Sequence, residues 1–277
     1  MDTLNRYTAH STLSIYLLGP FSAMLDERPI TRFESNKVRA LLAYLAVEAD
    51  RPHSRDALAA LLWPDRPDRV ARNNLRQALA NLRQVIGDHT ARPSFLLVTH
   101  ESIWFNPAAI YQLDVIAFKT LLKACQEPLH RYPEICQSCA GQLRQATELY
   151  RGRFLDQFFL SDGLGFEEWT LIKREQLHRL ALNAMYRLAN YHESIREYEQ
   201  AYEYAVRQLE FDPWREEAHR QAMRVLALSG QRSSALLQFK VCRHVLAKEL
   251  EVEPAQETMA LYERIRGGME LLTIGAG

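Results

Sequence analysis

The stretch Pro67-Asp68-Arg69-Val70-Ala71-Arg72-Asn73-Asn74-Leu75-Arg76-Gln77-Ala78-Leu79-Ala80-Asn81-Leu82-Arg83-Gln84-Val85-Ile86-Gly87 decides how the first third of this chain is read. At 100° per residue, Leu75, Leu79, Leu82 and Ile86 fall within about 60° of one another, the narrow apolar stripe of an amphipathic helix. Pro67 suits the first turn of such a helix, and Gly87-Asp88 ends it. The opposite arc carries Arg69, Asn73, Arg76, Gln77, Asn81 and Gln84. No acidic residue lies between Arg69 and Ile86, so this face lacks the Glu–Lys pairing of an ordinary solvated helix. Asn and Gln can engage adenine edges in two-pronged fashion, and Arg can engage guanine or phosphate. The spacing therefore fits a helix whose inner face packs and whose outer face enters a nucleic-acid groove.

Composition limits how such binding could work. The 277 residues carry 34 basic and 34 acidic side chains, which excludes attachment to DNA by bulk charge. Residues 1–110 hold 13 basic against 11 acidic groups, and positions 66–92 hold six Arg against Asp68 and Asp88. A local cationic segment in a neutral protein implies a focused anion site. The longest early apolar run, Leu13 to Leu18, is far short of the ~20 residues of a membrane helix. The first residues lack the pattern of a signal peptide, so a cytoplasmic chain with reduced cysteines is expected.

Outward from the helix, the pattern on either side completes a unit. Leu13 to Leu17 alternates, Gly19-Pro20 interrupts, and Phe21 to Leu25 resumes before the turn Asp26-Glu27, which reads as short strands. A helix starts near Lys37 with Val38, Leu41, Leu42 and Leu45 on one face. A second, N-capped by Ser54, buries Leu58, Leu61 and Leu62. After the quoted helix, Phe95–Thr99 and Ile103–Phe105 flank His100-Glu101-Ser102 as a hairpin, and Asn106-Pro107 closes it. Strands, three helices and a terminal hairpin describe a winged helix-turn-helix, assigned to residues 11–110.

The second domain is assigned to residues 111–268; from Asp114 onward it reads as helical, with helices near 114–125, 138–151, 166–191, 194–209, 214–229, 231–250 and 254–266 and no strand expected. Tyr198-Glu199-Gln200-Ala201 and Arg232-Ser233-Ser234-Ala235 are offset by 34 residues, and each unit closes on an acid before proline, at Asp212-Pro213 and Glu253-Pro254. Thirty-four is the tetratricopeptide period. Arg196 stands where Gly230 stands in the second unit, which implies a more open helix turn there. The fold class is thus mainly α: an N-terminal winged helix-turn-helix (α+β) followed by an all-α, tetratricopeptide-like domain.

Other chemistry is sparse. There is no G-x-S-x-G, H-E-x-x-H or G-x-x-x-x-G-K-[ST] sequence, so neither an enzyme nor a nucleotide-hydrolysing module is expected. Trp63 and Trp169 follow apolar faces and read as packing. Arg51-Pro52-His53 and Tyr44 fix a loop and fill a core. His178, His192, His219 and His244 have no ligand partner on a shared helical face. Cys136-Gln137-Ser138-Cys139, with Cys125 and His130, could close tetrahedrally on a structural zinc; the favoured reading is plain packing of Cys125 and Cys139 as small core residues, with Cys136 incidental. A redox C-x-x-C normally opens a helix beside a βαβ sheet, and no such sheet is expected here.

Several segments together resemble the SARP-type bacterial transcription activators. They are Lys37-Val38-Arg39-Ala40-Leu41-Leu42-Ala43-Tyr44-Leu45, Arg51-Pro52-His53-Ser54-Arg55-Asp56-Ala57-Leu58, Leu62-Trp63-Pro64-Asp65 and Ala71-Arg72-Asn73-Asn74-Leu75-Arg76-Gln77-Ala78-Leu79. The second region is similar to the bacterial transcriptional activation domain through Leu149-Tyr150-Arg151-Gly152-Arg153-Phe154-Leu155, Phe166-Glu167-Glu168-Trp169, Arg174-Glu175, Leu209-Glu210-Phe211-Asp212-Pro213 and Ala227-Leu228-Ser229-Gly230-Gln231-Arg232. The resemblance implies double-stranded DNA as a partner, usually at direct repeats that favour two copies of the chain on DNA, and recruitment of RNA polymerase. It makes Asn73, Asn74, Gln77 and Asn81 the reading residues. Arg55, Arg69, Arg72, Arg76 and Arg83 would mostly hold phosphate, which fixes register but reads little sequence. His100 stands at the wing tip where the family often has Arg. Five such arginines predict that log K falls with log salt at a slope of about −4 to −5. The rival reading is an adaptor whose winged helix binds a protein. An interface of that kind would favour exposed Leu, Tyr or Trp over Arg, Asn and Gln.

Overall fold

The computed structural model describes residues 11–125 and 136–268. Its described residues divide into two compact units. Those through Thr120 join Leu149–His178 in one, and Leu121–Glu148 joins the residues from Arg179 onward in the other.

In the first unit, β1 (Leu13–Tyr16), β3 (Ser22–Leu25) and β4 (Arg28–Pro29) form an antiparallel meander, and β8 (Tyr111–Leu113) lies parallel to β1 on its other edge. The hairpin turn Asp26-Glu27 places two non-glycine residues at φ 50° and 63°, the geometry of a primed turn that follows strand twist. Asp26 accepts the Thr12 N–H at 2.8 Å and secures it. Next come α1 (Asn36–Val47), β5 (His53–Ser54), α2 (Arg55–Leu62), α3 (Asp68–Val85) and the hairpin β6 (Leu96–Val98) with β7 (Ser102–Phe105). Strand β5 pairs antiparallel with β7, so the hairpin is tied to the start of α2. The apolar stripe of α3 behaves as read: Leu75, Leu79, Leu82 and Ile86 are all buried, beside Leu41, Leu42 and Leu45 of α1 and Leu58 and Leu62 of α2.

Two strands fall where none was expected: β8, just past the domain boundary placed at 110, and one inside the stretch read as helical. Within the helical stretch, β9 (Phe154–Asp156) pairs parallel with β2 (Gly19–Pro20). It has only three residues and follows the polar alternation of no neighbour. Leu155 at φ 50° and Gln157 at 57° make it irregular, so a periodicity window passes over it. Its anchors explain the motif around it. The Leu155 N–H donates to the Leu17 carbonyl at 2.8 Å, and Arg174 donates to the Phe154 and Leu155 carbonyls, both at 3.0 Å. A Cβ on Gly152 would sit 3.2 Å from the Gly19 Cα, so this backbone approach requires glycine. The Asp114 carboxylate is buried and accepts the N–H groups of Leu17, Leu18 and Val115 at 2.8–2.9 Å. Burial nonetheless raises its pKa, against the pull of those bonds and of Arg151.

The helices are α4 (Asp114–Ala124), α5 (Gln137–Leu149), α6 (Leu164–Ser194), α7 (Tyr198–Phe211), α8 (Glu216–Leu228), α9 (Arg232–Glu249) and α10 (Gln256–Arg266). In the second unit α7 packs on α8 and α8 on α9 through small residues. Ala201, Ala205, Ala218, Ala222 and Ala235 are fully buried, the close approach a tetratricopeptide layer requires. Met223, Leu226, Phe239, Leu261 and Ile265 form a core over which Tyr262 stacks on Phe239, ring centroids 4.1 Å apart. The expected open turn at Arg196 is not found. Arg196 adopts φ 62° and Gly230 81°, and each turn is closed by the same pair of bonds. Arg196 and Glu197 N–H donate to Glu193 and His192 carbonyls, as Gly230 and Gln231 N–H do to Ala227 and Leu226. Arg196 takes up the left-handed conformation that glycine adopts without strain. Among the described residues no helix is long and apolar enough to cross a membrane.

Candidate nucleic-acid interface

Three elements converge on one groove of the first unit. Ser54 N-caps α2 by accepting the Ala57 N–H at 3.1 Å. Pro67 opens α3, its carbonyl accepting from Val70 and Ala71, and Gly87 at φ 68° ends the helix. The turn between β6 and β7 is closed by Thr99, whose N–H donates to the Ser102 carbonyl at 2.9 Å and whose Oγ1 accepts from the Glu101 and Ser102 N–H groups. Arg55 fastens that turn to α2: its backbone N–H donates to the Glu101 carbonyl at 2.9 Å, and its Nε donates to the Thr99 carbonyl at 3.1 Å.

The resulting groove, about 1290 Å³, is lined by Arg55, Arg69, Arg72, Asn73, Arg76 and His100, together with Ser54, Asp56, Val70, Leu75 and Glu101. Four arginines face two acids, so the groove is net cationic in a neutral chain. Arg72 pairs with Asp56 through two contacts, at 2.7 and 2.9 Å, with both side chains more than half exposed. Such a pair is worth ~0–1 kcal/mol, so Arg72 can exchange Asp56 for a phosphate at little cost. Arg76 donates to the Asn73 Oδ1 at 2.7 Å, one helical turn apart, which aligns the guanidinium with the amide. Gln77 is exposed just beyond Asn73 on the same face, and Asn74 is half-buried.

Two of the proposed contact residues are corrected. Asn81 is buried, and its Oδ1 accepts the Glu34 N–H at 3.1 Å, because the segment before α1 packs over the C-terminal half of α3. It has no surface with which to read a base. Arg83 donates from Nε to Asp88 at 2.7 Å, and Asp88, 1% exposed, also accepts the Leu96 N–H. That arginine fixes the end of α3 to the base of the hairpin. Conversely, Val70 was overlooked. It is 43% exposed in the groove, three residues before Asn73, and an apolar side chain on a polar helix arc is the available signal. A branched methyl group there suits a thymine methyl.

Of the remaining residues singled out in the sequence, Arg51 and His244 are exposed and the following are structural. Trp63 is buried, and Trp169 donates from Nε1 to Glu48 at 2.9 Å; Glu48 also pairs with Lys173 at 2.7 Å. His53 is buried against the Glu48 carbonyl, and His178 meets the Tyr150 hydroxyl at 3.1 Å. His192 pairs with Glu197, and His219 lies between the Pro213 carbonyl and Gln238. Of the four residues considered for zinc, His130 lies outside the described residues. Among the described residues, no group of three or more His, Cys, Asp or Glu is disposed to hold a metal.

The description "Bacterial transcriptional activator domain" matches residues 113–266, and "Transcriptional regulatory protein, C terminal" matches 34–102. The transcriptional regulatory proteins EmbR of Mycobacterium bovis and Mycobacterium tuberculosis are 27% identical over 267 residues. These matches take in 93% of this chain and 64% of theirs, so the chain spans about two-thirds of the length of the relatives it matches. A solved structure of M. tuberculosis EmbR in complex with a low-affinity phosphopeptide superposes with a TM-score of 0.74 at 23% identity, over 95% of this chain and 67% of that one. None of these descriptions denotes a catalyst.

Proposed function

This chain belongs to the bacterial transcriptional activator domain family, and on that premise we propose that it is a transcription activator that reads promoter DNA through α3. The observation that carries the reading is the acid-free outer face of α3, which presents Arg69, Arg72, Asn73 and Arg76 beside the wing turn on one cationic groove, with Gln77 exposed one turn beyond Asn73. A B-form major groove, about 12 Å wide, admits a helix of this kind. Asn73 and Gln77, on successive turns, would read base edges, with Asn74 at the margin and Val70 against a thymine methyl. Arg55, Arg69, Arg72 and Arg76 would meet phosphate, and His100 would approach the backbone from the wing. The helical unit would then contact RNA polymerase, and two copies of the chain would occupy a direct repeat.

The test is selection from a random duplex pool at about 0.15 M salt, run in parallel with a Gln77→Ala/Arg76→Ala variant. The native chain should enrich a spaced repeat that the variant does not. Against that duplex, Gln77→Ala should cost about 1–3 kcal/mol and relax preference at one base pair. With Arg83 removed from the phosphate set, four arginines predict a slope of log K on log salt near −3 to −4. No enrichment by the folded native chain would overturn the DNA reading in favour of the protein adaptor.

A further inference from the structure

The cysteine motif of the second unit is left unused by DNA binding, and its geometry is specific. Cys136 stands immediately before α5; its carbonyl accepts the Ala140 N–H at 3.0 Å, and its Sγ accepts the Cys139 N–H at 3.5 Å. The sulfur is therefore folded back over the first helical turn, toward the residue three positions on. Cys136 is half-exposed, whereas Cys139 is 1% exposed and lies beneath it. Residues at this spacing on a helix have Cβ atoms about 5–6 Å apart, close enough for a small rotation of the first turn to reach disulfide geometry. Cys125, 4% exposed, also lies against Cys139: its Sγ stands 3.6 Å from the Cys139 carbonyl and within hydrogen-bonding reach of the Cys139 thiol, and it donates to Gln142 Oε1 at 3.2 Å.

A C-x-x-C pair at the head of a helix was expected only beside a parallel sheet, yet here the head of α5 supplies the same electrostatic setting without one. Backbone N–H groups and the positive end of the helix dipole face the Cys136 sulfur. Hydrogen bonding from the Cys139 N–H accordingly pulls the Cys136 thiol below its ordinary value. Burial pushes Cys139 up to about 12 and raises Cys125 as well. The three thiols are thus unequal: Cys136 is partly exposed and activated, Cys139 is protonated directly behind it, and Cys125 is buried against Cys139 with almost no surface to meet an oxidant.

We propose that Cys136 and Cys139 form a hydroperoxide-reactive dithiol, with Cys136 as the attacking sulfur and Cys139 as the resolving one. The Cys136 thiolate attacks the distal oxygen of the hydroperoxide; an S–O bond forms, the O–O bond breaks, and the alkoxide leaves and takes up a proton. Cys136 is then a sulfenic acid. The Cys139 sulfur displaces its hydroxyl; the S–S bond forms, the S–O bond breaks, and the thiol proton leaves with hydroxide as water. Two thiols and one hydroperoxide thus give one disulfide, one alcohol (or water, from hydrogen peroxide) and one water. This chemistry is independent of whether the chain binds DNA.

The experiment uses the full chain, reduced and freed of reductant, with hydrogen peroxide in small excess at neutral pH. Remaining thiols are then alkylated and the peptides mapped by mass. The expected product is a Cys136–Cys139 disulfide, reversed by dithiothreitol, with Cys125 and Cys242 still alkylatable after denaturation. In the untreated native protein Cys136 should be alkylated about ten-fold or more faster than the buried Cys242. Cys139→Ser should halt the reaction at a Cys136 sulfenic acid trapped by dimedone. The mapping of the native chain stands even if that variant fails to fold. A disulfide through Cys125, uniform oxidation of all four thiols, or no reaction at Cys136 would overturn the proposal. So would one equivalent of zinc that survives a chelator and shields Cys125, Cys136 and Cys139 from alkylation.

Discussion

Along α3, Arg69, Arg72, Asn73, Arg76 and Gln77 are all exposed, whereas in the helical unit Asn190, Glu193, Gln208 and Gln221 are buried between α6, α7 and α8. Both sets are long polar side chains on amphipathic helices. In the second unit most of their polar atoms pair with one another, although Gln208 Oε1 and Arg224 Nη2 are left without a partner among the described residues. Gln208 donates to Gln221 at 2.9 Å, Gln221 donates to Asn190 at 2.6 Å and to the Tyr186 carbonyl at 3.0 Å, and Arg224 donates to both Glu193 oxygens. In α3 the hydrogen-bonding capacity is mostly turned outward. The difference teaches that polarity on a helix face does not by itself indicate a ligand. A face whose polar groups pair internally specifies packing, and a face whose groups remain open is available for recognition. Variants of the first kind should cost stability, and variants of the second should cost binding alone.

The largest effect should come from Arg224→Met. Glu193 is fully buried and its carboxylate is held at 2.8–2.9 Å by Arg224, so the variant strands an uncompensated charge. A loss of about 3–5 kcal/mol is expected in urea unfolding. The double change Glu193→Leu/Arg224→Met should recover most of it, because no charge is then left alone. Gln77→Ala, in contrast, should move stability by less than about 0.5 kcal/mol while weakening DNA. If Arg224→Met were equally silent, the contrast between the two units would collapse.

Asn81→Ala sharpens the comparison within a single helix. Asn81 shares α3 with Gln77 but supports the Glu34 N–H. Its truncation should cost about 1 kcal/mol of stability and leave the selected duplex unchanged. A shift in base preference would return Asn81 to the reading set.

The stripe of α3, the Ser54 cap, the wing and most helix positions are legible because each rests on local chemistry: period, cap residue, turn residue. The parts that escaped are set by long-range packing. Nothing near Asn81 announces that residues 30–35 will cover it, and Arg83 reveals its role only when Asp88 is found at 1% exposure behind it. The β2–β9 pairing joins residues more than 130 positions apart through strands of two and three residues, too short for any alternation to show. The groove is legible in its four arginines and Asn73. Asp56, which neutralises Arg72, becomes visible only once α2 and α3 lie side by side.

The smallest effect concerns the two turns that repeat at 34 residues. Both end a helix with the same pair of backbone bonds, and both need a left-handed residue, but one uses Gly230 and the other Arg196. A side chain in that conformation is strained by roughly 1–2 kcal/mol. Arg196→Gly should relieve that strain, although the added freedom of glycine in the unfolded chain offsets part of it. A net gain of about 0.5 kcal/mol, read as a small rise in Tm, is expected. Arg196 is exposed, so lost packing should not obscure the result. The reciprocal Gly230→Arg should lower Tm, although a Cβ there meets nothing within 4 Å. Opposite signs for the two swaps would show that the turns share one conformational demand. A loss for Arg196→Gly would mean that the arginine side chain stabilises its turn by more than its backbone conformation costs.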